Sequence, residues 1–261
     1  MAKRIVITSG KGGVGKTTIT ANLGNALADC GQRVVMVDMD FGLNNLDVVT
    51  GIENKIIYDM YDVILGRCRI KQALIQDKLK NNLYILPSAN SLVNSEVTGQ
   101  NIKLLLDKLN FLFDYVLIDC PAGIDIGFHR AISCAEQAIV VTTPSFSSLR
   151  DADKVIKILK SYKLNSVDLI INRLRGDLIL GQKMMYPNDI EALLQSSLLG
   201  VLPEEDIVFL SIGKKLPKRT DSSRAYKIIA ENILKGNNKL FDVTKKYTGF
   251  LGGIKRGLKS L

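Results

Sequence analysis

Along the chain, short runs of apolar, β-branched residues alternate with longer stretches in which apolar side chains recur every three or four positions. The short runs predict strands over 4–8, 33–38, 83–86, 115–119, 137–142, 168–172 and 199–202. Most of them are apolar throughout, with no in–out alternation, as strands covered on both faces are. The periodic stretches predict helices over 17–30, 100–112, 149–162, 190–196 and 222–234. Strands alternating with helices require right-handed crossovers, so the expected fold class is α/β, a mostly parallel sheet with helices on both faces. Ligands of such folds gather beyond the carboxyl ends of the strands. Polar residues stand at several of those ends: Ser9-Gly10, Asp38, Asp119 and Asn172. One domain is expected over 1–236, with a hinge at 235–238 and a separate tail over 237–261.

Composition narrows the chemistry. At 46% hydrophobic residues the 261-residue chain can bury a large core, and with 6% aromatic residues and no Trp it is poor in platforms for stacked bases. Cys30, Cys68, Cys120 and Cys134 are scattered with no C-x-x-C pair, which predicts reduced, mostly buried thiols rather than a disulfide framework or a zinc site. No apolar run reaches membrane-spanning length and residues 1–4 are too short for a secretory signal, so the expected place of action is the compartment of synthesis. The lone His129 is expected to be structural.

The stretch Gly10-Lys11-Gly12-Gly13-Val14-Gly15-Lys16-Thr17-Thr18 matches the phosphate-loop pattern G-x-x-x-x-G-K-[ST] in full. Glycines let the backbone wrap closely around phosphates and present N–H groups to them, and the helix expected from Thr17 adds a positive N-terminus. In this pattern Lys16 neutralises phosphate oxygens and the Thr17 hydroxyl holds Mg²⁺. Tyr115-Val116-Leu117-Ile118-Asp119 has the form of an apolar strand delivering one carboxylate toward that metal. Val34 to Asp38 ends similarly, with Asp40 two residues on. A solvated turn is the other reading of these aspartates, and an Asx turn that of Asn172-Arg173.

The second loop lysine makes the nine-residue run resemble the deviant Walker A motif of the ParA/MinD family, which includes the nitrogenase iron protein. The resemblance implies an ATPase of the P-loop NTPase type, using ATP and Mg²⁺, that forms a homodimer with ATP. Lys11 would act across the dimer on the partner's nucleotide, Asp40 would orient the attacking water, and Asp38 and Asp119 would support the metal. Asn172 and Arg173 would contact the adenine. Stretches 39–47, 73–77, 82–87, 119–124, 147–151 and 200–205 resemble the division-site-placing MinD branch, with Asn44 departing from the arginine usual there. That branch implies a MinC-like septum inhibitor, a MinE-like factor that stimulates turnover, and a peripheral place on the inner membrane face of a cytoplasm or plastid stroma. The alternative within the family is a ParA-like DNA partition ATPase.

Charge bears on that choice. From 235 to 261 seven cations stand against one acid, so this segment carries six of the formal nine positive charges. A polyanionic partner is one reading and a solvated end the other. Placed on a helix, Tyr247, Phe250, Leu251, Ile254, Leu258 and Leu261 share an arc of about 100°. Lys245, Lys246, Lys255, Arg256 and Lys259 fall outside it, as in an interfacial helix on an anionic membrane surface. Gly249, Gly252, Gly253 and Gly257 each cost roughly 1 kcal/mol of helix stability, so the expected tail is unfolded in water and helical on membrane. Lys214, Lys215, Lys218 and Arg219 form a further basic set, either a solvated loop or a polyanion contact.

Overall fold

The computed structural model describes residues 1–41, 45–88, 98–249, 252–253 and 256. Its strands are β1 (Lys3–Thr8), β2 (Val34–Asp38), β3 (Ile75–Gln76), β4 (Leu83–Leu86), β5 (Tyr115–Asp119), β6 (Gln137–Thr142), β7 (Ser166–Leu174) and β8 (Ser197–Pro203). The helices are α1 (Lys16–Asp29), α2 (Leu46–Thr50), α3 (Met60–Ile64), α4 (Ile70–Ala73), α5 (Gly99–Leu109), α6 (Ile126–Ser133), α7 (Phe146–Leu159), α8 (Gly176–Leu180), α9 (Pro187–Leu194), α10 (Asp206–Leu210) and α11 (Asp221–Lys235). The sheet runs β3-β4-β2-β5-β1-β6-β7-β8, and every pairing is parallel except β3 with β4.

Neighbouring strand residues face opposite sides, and both sides are apolar. Val6, Val35, Val37, Val116 and Ile118 join one core cluster with residues of α5, α6 and α7. Ile5, Ile7, Val34, Met36 and Leu117 join a second with α1 and α11. Continuous apolar runs are therefore what these strands require. At Gly24 of α1 a Cβ would lie 2.5 Å from Met36 Sδ, so a glycine lets this helix lie flat on β2.

The predicted strands and long helices are all present. Helix α7 begins three residues earlier than its periodicity indicates, because the Ser145 hydroxyl accepts the Ser148 N–H and caps it. The periodic stretches did not include the eight-residue α6, and they missed α2, α3, α4, α8 and α10, each of four or five residues and too short for a repeat to register. The two-residue edge strand β3 escaped for the same reason. All four cysteines are free thiols, with Cys120 and Cys134 buried and Cys30 and Cys68 partly so.

The chain beyond α11 departs from the expected free tail. Gly236 ends α11 with φ 66°, and the chain then folds back on the body. The buried Asn232 side chain donates to the carbonyls of Leu199 and Lys239 and accepts the Lys239 N–H, stitching the returning segment to β8. Val243 is 5% exposed, and a Cβ on Gly176 would lie 2.1 Å from its carbonyl oxygen. Tyr247 is buried as well, so its expected place on a membrane-facing stripe is corrected: it is a docked core residue at the root of the tail. Tyr247 is the one side chain of the expected stripe among the described residues, and it docks beside Val243, which lay outside that stripe. Arg256 is exposed. Phe250, Leu251, Ile254, Lys255, Leu258, Lys259 and Leu261 lie outside the described residues, as does Asn44.

Candidate nucleotide site

The phosphate loop joins β1 to α1 at the middle of the sheet. Gly13 and Gly15 hold φ of 76° and 99°, a region that side chains strain to enter. Close packing adds a second demand for glycine. A Cβ on Gly15 would stand 2.6 Å from Asn172 Nδ2, and one on Gly10 would stand 2.2 Å from the Asp151 carbonyl oxygen. Helix α1 starts with no capping side chain and no acid in its first turn. Its leading N–H groups and its dipole are thus left for an anion from outside. Lys16 is 8% exposed, and its ammonium donates to Ser9 Oγ at 3.1 Å, while Ser9 Oγ donates to the Lys11 carbonyl at 2.7 Å. The lysine therefore lies folded over the loop it serves. Gly12 faces Ala122 of the turn after β5, and Thr18 lines a groove on the outer side of α1.

Strands β2 and β5 pair so that Asp38 and Asp119 are register partners. Both are 1% exposed. Thr20 Oγ1 donates to Asp119 at 3.1 Å, and the Thr17 hydroxyl is near enough to the same carboxylate to favour its charged form. Burial pushes the Asp119 pKa up to about 6, against the pull of those hydroxyls and of Lys16. Burial and the charge of Asp119 push Asp38 to about 7. Each Asp38 oxygen takes a backbone N–H: one accepts the Asp40 N–H at 2.9 Å and the other the Leu46 N–H at 3.2 Å. It ties down both ends of the loop that carries Asp40. Asp40 itself is half-buried, its pKa raised by burial and by Asp125, with Lys16 pulling the other way.

Among the described residues no three His, Cys, Asp or Glu side chains gather to hold a metal alone. Thr17 and Asp119 side by side offer two hard oxygen donors, which fits Mg²⁺ sharing its remaining positions among phosphate oxygens and waters. The donor set fits a magnesium–nucleotide complex rather than a resident ion.

Asn172 and Arg173 sit at the end of β7 and turn toward the loop. Asn172 Nδ2 donates to the Val14 carbonyl at 2.8 Å, and Arg173 donates to the Gly13 carbonyl at 3.0 Å from a backbone φ of 58°. In this structure they brace the phosphate loop, a duty distinct from the expected contact with a base, although Asn172 keeps a second amide hydrogen for one. Lys11 is exposed, and its ammonium donates to Ser147 Oγ at 3.0 Å. Ser9, expected only as a polar strand end, completes the site together with Thr20, Asp125 and Ser147, to which the sequence assigns no part in it. Thr20 meets Asp119 across 99 positions and Lys11 meets Ser147 across 136, distances at which a sequence pattern carries no signal.

Comparison with known proteins agrees with this geometry. An AAA domain family matches residues 2–171. The septum site-determining protein MinD of Synechocystis is 41% identical over 263 residues, covering 99% of this chain and 99% of its own length. Among solved structures, the MinC:MinD cell division protein complex of Aquifex aeolicus superimposes with a TM-score of 0.83 at 38% identity, covering 91% of this chain and 97% of that one. MinD of Pyrococcus horikoshii, complexed with Mg-ADP, gives a TM-score of 0.79 at 32% identity over 90% of this chain and 97% of that one. A phosphate loop with two lysines, a strand-end carboxylate pair beside it and full-length likeness to these proteins place the chain in the MinD family of septum site-determining proteins.

Proposed function

We propose that the chain is a division-site-positioning ATPase that dimerises on ATP, associates with an anionic membrane and there recruits a septum-formation inhibitor. The observation that carries this reading is the division of labour between its two loop lysines. Lys16 is folded over the phosphate loop, whereas Lys11 stands at the rim, held by one hydrogen bond to Ser147 and available to a neighbouring molecule. A loop that served only its own nucleotide would need no second lysine. The bound Mg–ATP supplies the phosphoanhydride that is cleaved. The chain's part is to bind and orient: Lys16 and the first N–H groups of α1 hold phosphate, Thr17 and Asp119 face the metal, and Asp40 positions water. Asn172 and Arg173 set the loop's shape and, with nucleotide present, line the side where its base lies.

The membrane anchor in this reading is the segment from 250 onward, with Tyr247 serving as its rigid root. Two such segments on one dimer make the second insertion intramolecular, so ATP switches binding through avidity. A MinC-like inhibitor fits the likeness to MinD in the Aquifex complex, and a MinE-like factor is the expected stimulator of slow basal turnover. Sedimentation and nucleotide titration of Lys16→Ala and Lys11→Ala test the core of the proposal. Lys16→Ala should lose ATP-dependent dimers together with ATP affinity, and Lys11→Ala should lose dimers while its monomer affinity is retained. Normal dimers of Lys16→Ala in ATP would overturn it. The anchor is tested by removing 250–261, a cut that spares the docked root: vesicle binding should vanish and ATP binding persist.

A further inference from the structure

The basic run at 214–219 takes no part in the nucleotide chemistry, yet the fold gives it a definite shape. Leu216 is 7% exposed and plugs into the core cluster beneath α1 and α11, pinning the loop at its centre. With that apolar residue inside, Lys214, Lys218 and Arg219 are left exposed, and none of them forms an ion pair among the described residues. Lys215 is held toward α1 by Asp29 at 3.4 Å. Behind the loop, Lys215, Lys218, Arg224 and Lys227 line an open groove with Ser223 and Asn22.

This groove abuts the root of the tail. Asp221, the first residue of α11, accepts Arg224 on one carboxylate oxygen at 3.3 Å and Lys246 on the other at 3.1 Å. A single carboxylate thus joins a cation of the groove to a cation of the docked root, so the chain enters its last segment on the side of the body that the basic loop occupies. The same stretch of chain is also apolar. In α10 and the turn after it, Phe209, Leu210 and Ile212 are 74%, 68% and 40% exposed, and no residue of α10 is buried.

We propose that the 209–219 stretch and its groove form a second membrane contact, on the folded body, that takes the headgroups of anionic lipids. The proposal rests on the peripheral-membrane reading given above and extends it from the tail to the ATPase body. Exposed aromatic and aliphatic side chains beside a basic cluster suit an interface between headgroups and acyl chains, whereas a nucleic-acid backbone requires only the cations. The contact fixes how the body stands on the bilayer: a tail alone tethers it, and tail and basic loop together orient it.

The full-length protein, in ATP, is titrated with vesicles of phosphatidylglycerol and phosphatidylcholine, and separately with duplex DNA. The probe is the triple variant Lys214→Gln/Lys218→Gln/Arg219→Gln, whose side chains are exposed and leave the core untouched. A cation near an anionic surface contributes about fivefold in affinity, so three of them, partly screened by salt, should cost at least about tenfold. The variant's vesicle binding should also depend less steeply on salt, with dimerisation in ATP unchanged. Vesicle affinity equal to the parent's overturns the proposal. So does loss of DNA binding with vesicle binding intact, which would assign the surface to nucleic acid. If the parent itself fails to bind vesicles in ATP, the membrane reading falls and this surface with it. If the parent binds and the variant matches it, only the second contact falls.

Discussion

Tyr247 distinguishes a docked root from a free amphipathic tail. Its ring is 6% exposed, Lys246 lies 5.4 Å above it, and its backbone N–H is bonded to the Thr244 carbonyl at 2.8 Å. Replacing a buried aromatic side chain by alanine costs about 3–5 kcal/mol in a rigid core. This segment lies near the end of the described chain and can relax, so the loss is limited to the free energy that docks it, about 2–3 kcal/mol. That cost falls on local opening rather than global unfolding, and native-state amide exchange reads it directly. In Tyr247→Ala the amides of 244–248 should exchange roughly thirty- to a hundred-and-fortyfold faster than in the parent, at about tenfold per 1.4 kcal/mol. Tyr247→Phe keeps the ring and should stay within about tenfold of the parent. Exchange in Tyr247→Ala equal to the parent's, together with weakened vesicle binding, would return Tyr247 to the membrane-facing stripe and refute the docked root.

The remaining predictions concern buried charge. In the absence of nucleotide and Mg²⁺, the fold retains protons on Asp38 and Asp119 up to about pH 7 and 6, whereas the unfolded chain releases them near its ordinary carboxylate value. The stability these groups confer is therefore complete at low pH and lost as pH rises through that window. Asp38→Asn should lose less stability than the parent between pH 5 and 8 in urea titrations, and parallel curves would refute the assignment. Lys80 is 8% exposed and bonded to Asp29 at 2.9 Å, yet burial pulls its pKa down to about 8. Its folded form sheds a proton that the unfolded chain keeps, so stability should rise with pH from about 8 to 10.5, and Lys80→Met should abolish that rise. At pH 7 the same variant should be no less stable than the parent despite losing an ion pair; a loss above about 2 kcal/mol would show that the pair outweighs its desolvation.

Much of the fold was legible because its logic is local. Runs such as Val34–Asp38 and Tyr115–Asp119 need apolar residues at every position, and a sheet covered on both faces leaves few alternatives. The phosphate loop was legible for a stronger reason. At Gly15 one residue meets two demands, a positive φ and the approach of Asn172, so the pattern is stringent. The bracing of that loop was not legible, because Asn172 and Arg173 reach Val14 and Gly13 across 158 and 160 positions. The loop-tying bonds of Asp38 were not legible, because a strand-end carboxylate looks the same in sequence whether or not backbone N–H groups return to it. The tail root was misread for a complementary reason. Helical periodicity places Tyr247 on an apolar stripe, but does not tell whether its ring meets lipid or the folded body.

The close approach of Gly10 to Asp151 has a mechanical consequence. Atoms in contact resist being pressed together and offer almost no resistance to being drawn apart. The phosphate loop and α7 therefore meet backbone to backbone, with the bond from Lys11 to Ser147 beside that contact. Leu149, Ala152, Val155, Ile156 and Leu159 seat α7 in the core, so the wall behind the loop is one that cannot yield. A side chain added at position 10 would have to move the loop rather than the helix, and the glycine there guards the shape of the phosphate cradle from behind.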